Sequence, residues 1–472
     1  MATDRVRAAA HRIEEFHQRF AESFGRKEAK AHSIVYLRGL MLAEGRKNVE
    51  AMALQFAEIP IGKPVGQNEV LTLQKFLTDS PWNPGDVQRE IQAVFAEEFV
   101  PSAAEWSIGV VGVFDGSSFV KRGTQSAGVK RQWCGRLGKT ENCQVGEFLV
   151  GVTPTGCVAL DQQLYLPREW SKDKQRRQAA RVPKEIEYQS QTQIALALYR
   201  RTRENGHVCF DWVTADSHYG NDGNFLDELE SFDQKYVVET CADTTFWTVD
   251  PASQVPSYSG QGRPPSQARR ESVHKAKAIA EQLQPNKWQA LKLRDGAKGP
   301  LVFEFARVRV WSVRHRKPGP PQWLIFRRSL EGNSELKYYV SGADENTPLG
   351  LVALVIGTRW RVEEYFKDGK GQLGMADYEA RGWTSWHHHM SLVALAHLFV
   401  TLTKKDLAEE FPELTLPMAV RLLKSTMSRP TLTETEALRL TEYHLNRNAV
   451  ARNSHRKSWL QKHKTIKPKP LL

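Results

Sequence analysis

The chain has 472 residues and a mass of 53.6 kDa, too long for one ordinary compact domain. Hydrophobic residues make up 40% and charged residues 25%, which supplies a packed core and excludes wholesale disorder. The formal net charge of +12 points to a polyanionic partner, with nucleic acid ahead of an anionic membrane surface.

Residues 1 to about 106 read as a helical N-terminal region. Apolar residues recur at three-to-four spacing over Ala9–Phe24 and Asn48–Ala57, and again over Asp86–Phe99 after the Pro84-Gly85 break. From Ser107 the texture changes. Ser107–Phe114 (SIGVVGVF) is a short Val-rich run that reads as a buried strand, followed by strands over Val145–Val152 and Cys157–Leu166. A helix over Ser190–Asn205, a strand over Val208–Ala215 and a short strand over Tyr236–Glu239 complete a mixed α/β pattern through residue 240. Ser253–Gln267 is rich in Pro, Gly and Ser and reads as a loop. Leu301–Val313, Trp323–Arg328 and Leu336–Ser341 read as strands of a β-rich insertion over 241–350. Helical texture returns over 351–404 and continues through Asn446 in a C-terminal region, 405–472, that ends in a basic tail.

No apolar run reaches the roughly 18–20 residues of a spanning helix. The best, Leu392–Leu402, is shorter and carries His397. The N-terminus has charge but no apolar signal core, so no secretion is expected. The five cysteines are odd in number and none is paired at CxxC spacing. That argues against a disulfide framework or a zinc ribbon and for reduced thiols in the cytoplasm.

The positive charge is concentrated. Eight basic residues, from Arg447 and Arg452 through Arg456, Lys457 and Lys462 to Lys469, follow one another with no acid between them. The last stretch, KTIKPKPLL, holds two prolines and cannot be a regular helix. Such a tail is either a solvated end or a strap along a phosphate backbone, where each cation displaces a condensed counterion. A second cluster, Gly116–Thr140, holds Lys121, Arg122, Lys130, Arg131, Arg136 and Lys139 among glycines, again with no acid until Glu141. It reads as a glycine-rich loop that approaches an anion. Gly138-Lys139-Thr140 is not a nucleotide P-loop, because the first glycine of that motif would fall at Trp133. Trp133 itself could stack on an unpaired base or pack in the core.

Three carboxylates stand out. The strand SIGVVGVF runs into Asp115, and Val208–Ala215 runs into Asp216. One acid after a strand is usually a cap or a turn residue. Two, with a basic segment after the first, suggest the strand-end edge where α/β sheets place their sites. In Arg359–Lys370 (RWRVEEYFKDGK), Arg359 and Lys370 lie −4 and +7 positions from Glu363. All three then project within roughly 40° on a helix, and Glu364 is turned away by 100°. Asp115, Asp216 and Glu363 are hard oxygen donors of the kind Mg²⁺ takes together with phosphate oxygens. Two such ions can activate a water or a 3′-hydroxyl and stabilise the leaving oxygen of a phosphodiester. By contrast His387, His388 and His389 diverge on a helix and cannot close on one ion, so with His397 they are expected to line a core or a DNA face. Asp222 and Asp227 read as capping and solvated charges.

Taken together, the stretches DGSSFVKRG from Asp115, SAGVKRQWCGRLGKTENCQVG from Ser126, LYLPREW from Leu164, TADSHYG from Thr214 and RWRVEEYF from Arg359 resemble the bacterial insertion-sequence transposases of the DDE type, within the DDE superfamily endonuclease group. The resemblance implies a ribonuclease-H-like mixed-sheet core in two parts, 107–240 and 351–404, interrupted by the β-rich insertion. It implies Asp115, Asp216 and Glu363 as catalytic and metal-holding residues with two Mg²⁺ ions, for which Mn²⁺ can substitute. Arg359, Glu363 and Lys370 match the R, E and K of a YREK signature whose tyrosine position holds Ile356, and Gly116 stands where relatives often have an acid. The expected partners are double-stranded DNA, as terminal inverted repeats and target, and a second copy in a homodimer on paired ends. Expected DNA contacts are Arg359, Lys370, Lys121, Arg122, Lys130, Arg131, Trp133, Arg456 and Lys457, with the N-terminal helices as a DNA-binding region. The place is the cytoplasm, in association with the nucleoid. The rival readings are a transposase-derived DNA-binding protein that no longer cleaves and a nuclease on the same core.

Overall fold

In the computed structural model the described residues are 2–56, 67–100, 106–254, 273–296, 299–315, 317–330, 336–427 and 433–462. Six helices come first: α1 (Ala2–His11), α2 (Ile13–Phe20), α3 (Lys27–Leu42), α4 (Val49–Phe56), α5 (Gln67–Thr78) and α6 (Pro84–Phe99). The last starts where the composition says it should, with Asn83 accepting from the Gly85 N–H and Pro84 at the first helical position.

The central sheet is built from β1 (Val111–Val120), β2 (Lys130–Cys134), β3 (Lys139–Thr153), β4 (Gly156–Leu164), β5 (Trp212–Ala215) and β6 (Tyr236–Thr240). Antiparallel β4–β3–β1 adjoins parallel β1–β5–β6. Three antiparallel strands followed by two parallel ones are the ribonuclease-H-like arrangement. Between β4 and β5 lie α7 (Arg168–Lys172), α8 (Lys174–Ala179) and α9 (Gln191–Asn205); α10 (Ser217–Gly220) and α11 (Gly223–Ser231) join β5 to β6. A capping box fixes the start of α9, with Ser190 and Gln193 satisfying each other's backbone N–H groups.

The insertion contributes β7 (Thr245–Trp247), β8 (Val273–Lys275), α12 (Ala276–Glu281), β9 (Gln289–Gly296), β10 (Gly299–Arg314), β11 (Lys317–Ser329) and β12 (Lys337–Ser341). Its strands extend the core sheet. β12 pairs with β6 from Tyr338↔Thr240 to Ser341↔Val237, so the sheet runs on through β11, β10, β7 and β8. A buried guanidinium ties the two parts together. Arg314 of β10 donates to Asp227 and Glu230 of α11 at 2.5 and 2.6 Å, and to the Tyr236 hydroxyl at 3.2 Å.

Then come α13 (Leu349–Thr358), α14 (Trp360–Gln372), α15 (Trp383–Asp406), α16 (Leu416–Thr426) and α17 (Glu434–Lys462). Apolar on every side, α15 is accordingly buried, between β4 and the helices α3, α5, α6 and α16. One hydrophobic core therefore runs from Val6 to Leu423. His388, His389 and His397 belong to that core: His388 stacks on Trp82 at 3.8 Å, and His389 Nδ1 bonds the Tyr36 hydroxyl at 2.8 Å. Burial holds these rings below the usual histidine range, His389 and His397 down to about 3.

Several expectations are corrected. The first strand does not end at Asp115: β3 pairs with β1 out to Val120↔Cys143, which carries the strand five residues further. Much of the glycine-rich basic segment is likewise strand, because Lys130–Cys134 pairs with Lys139–Cys143. Helix α17 continues past Asn446 to Lys462, while Lys464, Lys467 and Lys469 lie outside the described residues, as does most of the Ser253–Gln267 loop.

Candidate active site

The parallel strands decide where the acids go. Phe114 pairs with Ala215, and Ala215 with Val238, so the next residue on each of three adjacent strands is Asp115, Asp216 and Glu239. Parallel pairing of β1 stops at that row while its antiparallel pairing with β3 continues, which opens the sheet beside Asp115. Asp216 leaves its strand as the cap of α10 and accepts from the His218 N–H at 2.9 Å. Asp115 accepts from the Gly116 N–H at 2.8 Å. Burial and then the neighbouring Asp216 charge push the Asp115 carboxyl up to about 7, against the pull of Arg359.

Arg359 sits at the junction of α13 and α14. It donates to Glu363 Oε1 at 3.0 Å, which is the i,i+4 contact the spacing predicts. Burial opposes its charge, but Asp115, Glu363, Glu239 and Asp216 outweigh that and hold it firmly protonated. One guanidinium thus feels the charge of all three predicted acids, touching Glu363 alone, and of a fourth, Glu239, which a 3.0 Å contact ties to Lys337. Lys370 lies further along α14 and turns to the sheet, donating to Ser117 Oγ at 2.8 Å and the Ser118 carbonyl at 3.1 Å. It fastens the glutamate helix to the aspartate strand. The signature tyrosine position, Ile356, is buried in the core.

Beneath the row lies Glu147 of β3, fully buried. Gln191 Nε2 and the Tyr219 hydroxyl each donate to it at 2.5 Å. Burial pushes its carboxyl up to about 7 despite those two bonds. Gly116 is its cross-strand neighbour, and a Cβ there would stand 3.1 Å from Glu147 Oε1. A side chain at position 116 would press on Glu147, and an acid there would add a like charge beside it. Neither Glu147 nor Glu239 was singled out by sequence. In the sequence Glu239 closes the apolar run from Tyr236 as Asp115 and Asp216 follow theirs, and Glu147 is a lone acid in an apolar run, so both left a readable signal.

The predicted DNA-contacting residues fall into three places. Arg122, Arg131 and Trp133 are exposed on or near the β2–β3 hairpin, and Trp133 is 64% accessible. Lys130 pairs with Glu169 at 2.5 Å. Lys121 donates to the Tyr378 carbonyl at 2.9 Å and lies over that ring, with burial lowering its ammonium to about 7. Arg456 and Lys457 are exposed on α17, away from the acids in sequence and on a different element.

A family model described as DDE superfamily endonuclease matches residues 19–300, more than half of the chain. The chain belongs to the DDE superfamily endonuclease family. The matched span holds Asp115 and Asp216, and Glu363 lies beyond it. Among curated proteins, the chain is similar to the "Probable transposase for insertion sequence element IS701" of Microchaete diplosiphon, 31% identical over 179 residues. That alignment covers 38% of this chain, and the chain spans 42% of the relative's length. Among solved structures, the "piggyBac transposase synaptic complex with hairpin DNA" aligns at TM-score 0.40 and 9% identity, over 88% of this chain and 75% of that one. No described helix of this DDE-family chain is long and apolar enough to cross a membrane.

As oxygen donors crowded by like charge, Asp115 and Asp216 fit a hard divalent cation. Glu363 carries the same chemistry but is engaged by Arg359. Among the described residues no three acids, histidines or cysteines gather closely enough to ring one ion.

Proposed function

We propose that this chain is a DNA transposase that binds the terminal inverted repeats of an insertion sequence, cleaves the element ends and joins them to target DNA, by a cut-and-paste route. The adjacent placement of Asp115 and Asp216 on the central parallel strands, faced by the Arg359–Glu363 pair, carries the reading. Asp115 and Asp216 would hold Mg²⁺ or Mn²⁺, and Glu363 would complete the set in exchange for its pair with Arg359. The metal, as two ions, would activate the attacking oxygen and stabilise the leaving one. Arg359, released from its carboxylates, is placed to meet a phosphate. Lys370 fastens α14, the helix of Glu363, to β1, the strand of Asp115, and in this reading that brace would let Glu363 swing towards the aspartates. Arg122, Arg131 and Trp133 would contact DNA flanking the cut, and a homodimer would pair two ends. The family match over both aspartates and the transposase relative support this reading.

The test is cleavage of duplexes that carry the DNA flanking the reading frame. Asp115→Asn, Asp216→Asn and Glu363→Gln should each abolish cutting while leaving DNA binding in place. Near-wild-type cutting by any of the three defeats the assignment.

A further inference from the structure

Helix α17 is the longest described helix, and no residue in it is buried. Its start is fixed by a reciprocal cap, in which Glu436 accepts from the Thr433 N–H at 2.8 Å and Thr433 Oγ1 accepts from the Glu436 N–H at 3.3 Å. Its middle is moored to α4. Tyr443 donates to Glu50 Oε1 at 3.0 Å, and Arg447 pairs with the same carboxylate. Beyond Arg447 the helix runs on to Lys462 with four Lys or Arg residues and no acid, whereas Glu434, Glu436 and Glu442 all precede it. That distal half buries nothing and, among the exposed apolar side chains Val450, Trp459 and Leu460, carries charge of one sign, which fits it to a polyanionic surface.

The phase of the helix shows which side is offered. At 100° per residue, Asn448, Arg452, His455, Arg456, Trp459 and Lys462 fall within an arc of about 120°. Tyr443 and Arg447, which face Glu50, lie about 140° from the middle of that arc. The moored side and the stripe are thus on opposite faces, and all six stripe residues are exposed. From Asn448 to Lys462 the stripe is about 21 Å long. A duplex major groove about 12 Å wide admits one helix, and arginine and asparagine are the side chains that bond base edges bidentately. Lys457 is rotated about 100° from Arg456 and lies off the stripe.

We infer that the distal half of α17 is a DNA-reading helix that enters the major groove of duplex DNA with Asn448, Arg452 and Arg456 towards the bases. The inference rests on the DNA-transposase reading and adds to it the element that tells one sequence from another. Lysine in place of Arg452 and Arg456 keeps the phosphate attraction and removes the bidentate fork, so it separates base reading from charge.

The test uses fluorescence anisotropy of the full chain on short duplexes tiled across the DNA flanking the reading frame, with scrambled duplexes of equal composition as competitors. Wild type should prefer the element-end duplex. Arg452→Lys/Arg456→Lys should cut that preference by about tenfold or more while the dependence of affinity on salt stays the same. Lys457→Gln should keep the preference and flatten the salt dependence. Circular dichroism checks that α17 still forms. An unchanged preference in the double lysine variant overturns the inference and leaves the transposase reading standing if that protein still cuts ends. A change in the mass of the DNA-free protein by light scattering, on Arg452→Lys/Arg456→Lys, would show that the stripe docks a second copy, which also overturns it. If wild type neither prefers nor cuts any flanking duplex, the transposase reading falls first and this one with it.

Discussion

Replacing Glu147 by glutamine isolates the charge beneath the aspartate row. Glutamine keeps the shape, and both partners can adapt: the Gln191 amide can turn over and the Tyr219 hydroxyl can rotate to accept. What changes is the charge. The carboxyl is pushed from 4.5 to about 7 by burial, with Asp216 adding to the rise. An acid whose folded value lies above its unfolded one stabilises the fold fully below about pH 4.5 and loses that contribution as pH rises to about 7. At about 1.36 kcal/mol per pH unit the loss is roughly 3 kcal/mol by pH 8. Glu147→Gln does not lose it. Urea unfolding of both proteins in the presence of a chelator should therefore show the variant more stable by about 2–4 kcal/mol at pH 8 and nearly equal at pH 4.5. A variant destabilised to the same extent at both pH values would refute the reasoning, since it would mean that the two hydrogen bonds fully compensate a buried carboxylate.

Other perturbations have worked signs. Arg314→Met leaves Asp227 and Glu230 facing an apolar chain and should cost about 3–5 kcal/mol in denaturant unfolding. Lys370→Met removes a charged donor from Ser117 and Ser118 and should cost about 1.5–3 kcal/mol, with Ser117→Ala costing less; equal losses would contradict the anchoring role. The core histidines, held below their usual range by burial, give stability that is complete above about pH 6.5 and drains away as pH falls towards about 3. Melting temperature against pH should show this, and His397→Phe should shallow the slope if it folds.

Both aspartates and the Arg359–Glu363 contact were legible in the sequence because an acid after an apolar run and helix spacing are local patterns. The order of strands and helices showed a mixed α/β pattern, and the resemblance of the motifs implied the ribonuclease-H-like core. What the sequence could not reveal was pairing. That Asp115 lies mid-strand depends on β3 running alongside to Cys143, and that Glu239 joins the row depends on which strand lies next to β5. Lys370 has the spacing of a phosphate contact, yet Ser117 lies within its reach only after α14 packs on β1. Gly116 reads as a missing acid until its neighbour across the sheet is known to be Glu147.

The central claim is that Asp115, Asp216 and Glu363 share a metal site on DNA. Iron-mediated backbone cleavage reports it most directly: Fe²⁺ replaces Mg²⁺, added hydrogen peroxide is reduced by it to hydroxyl radicals that cut the chain beside the ion, and ascorbate returns the Fe³⁺ to Fe²⁺. With element-end DNA present, the account predicts cuts clustered near residues 115, 216 and 363, competed by Mg²⁺ and lost in Asp115→Asn/Asp216→Asn. Cuts that avoid any of the three segments, or that persist unchanged in the double variant, would contradict it.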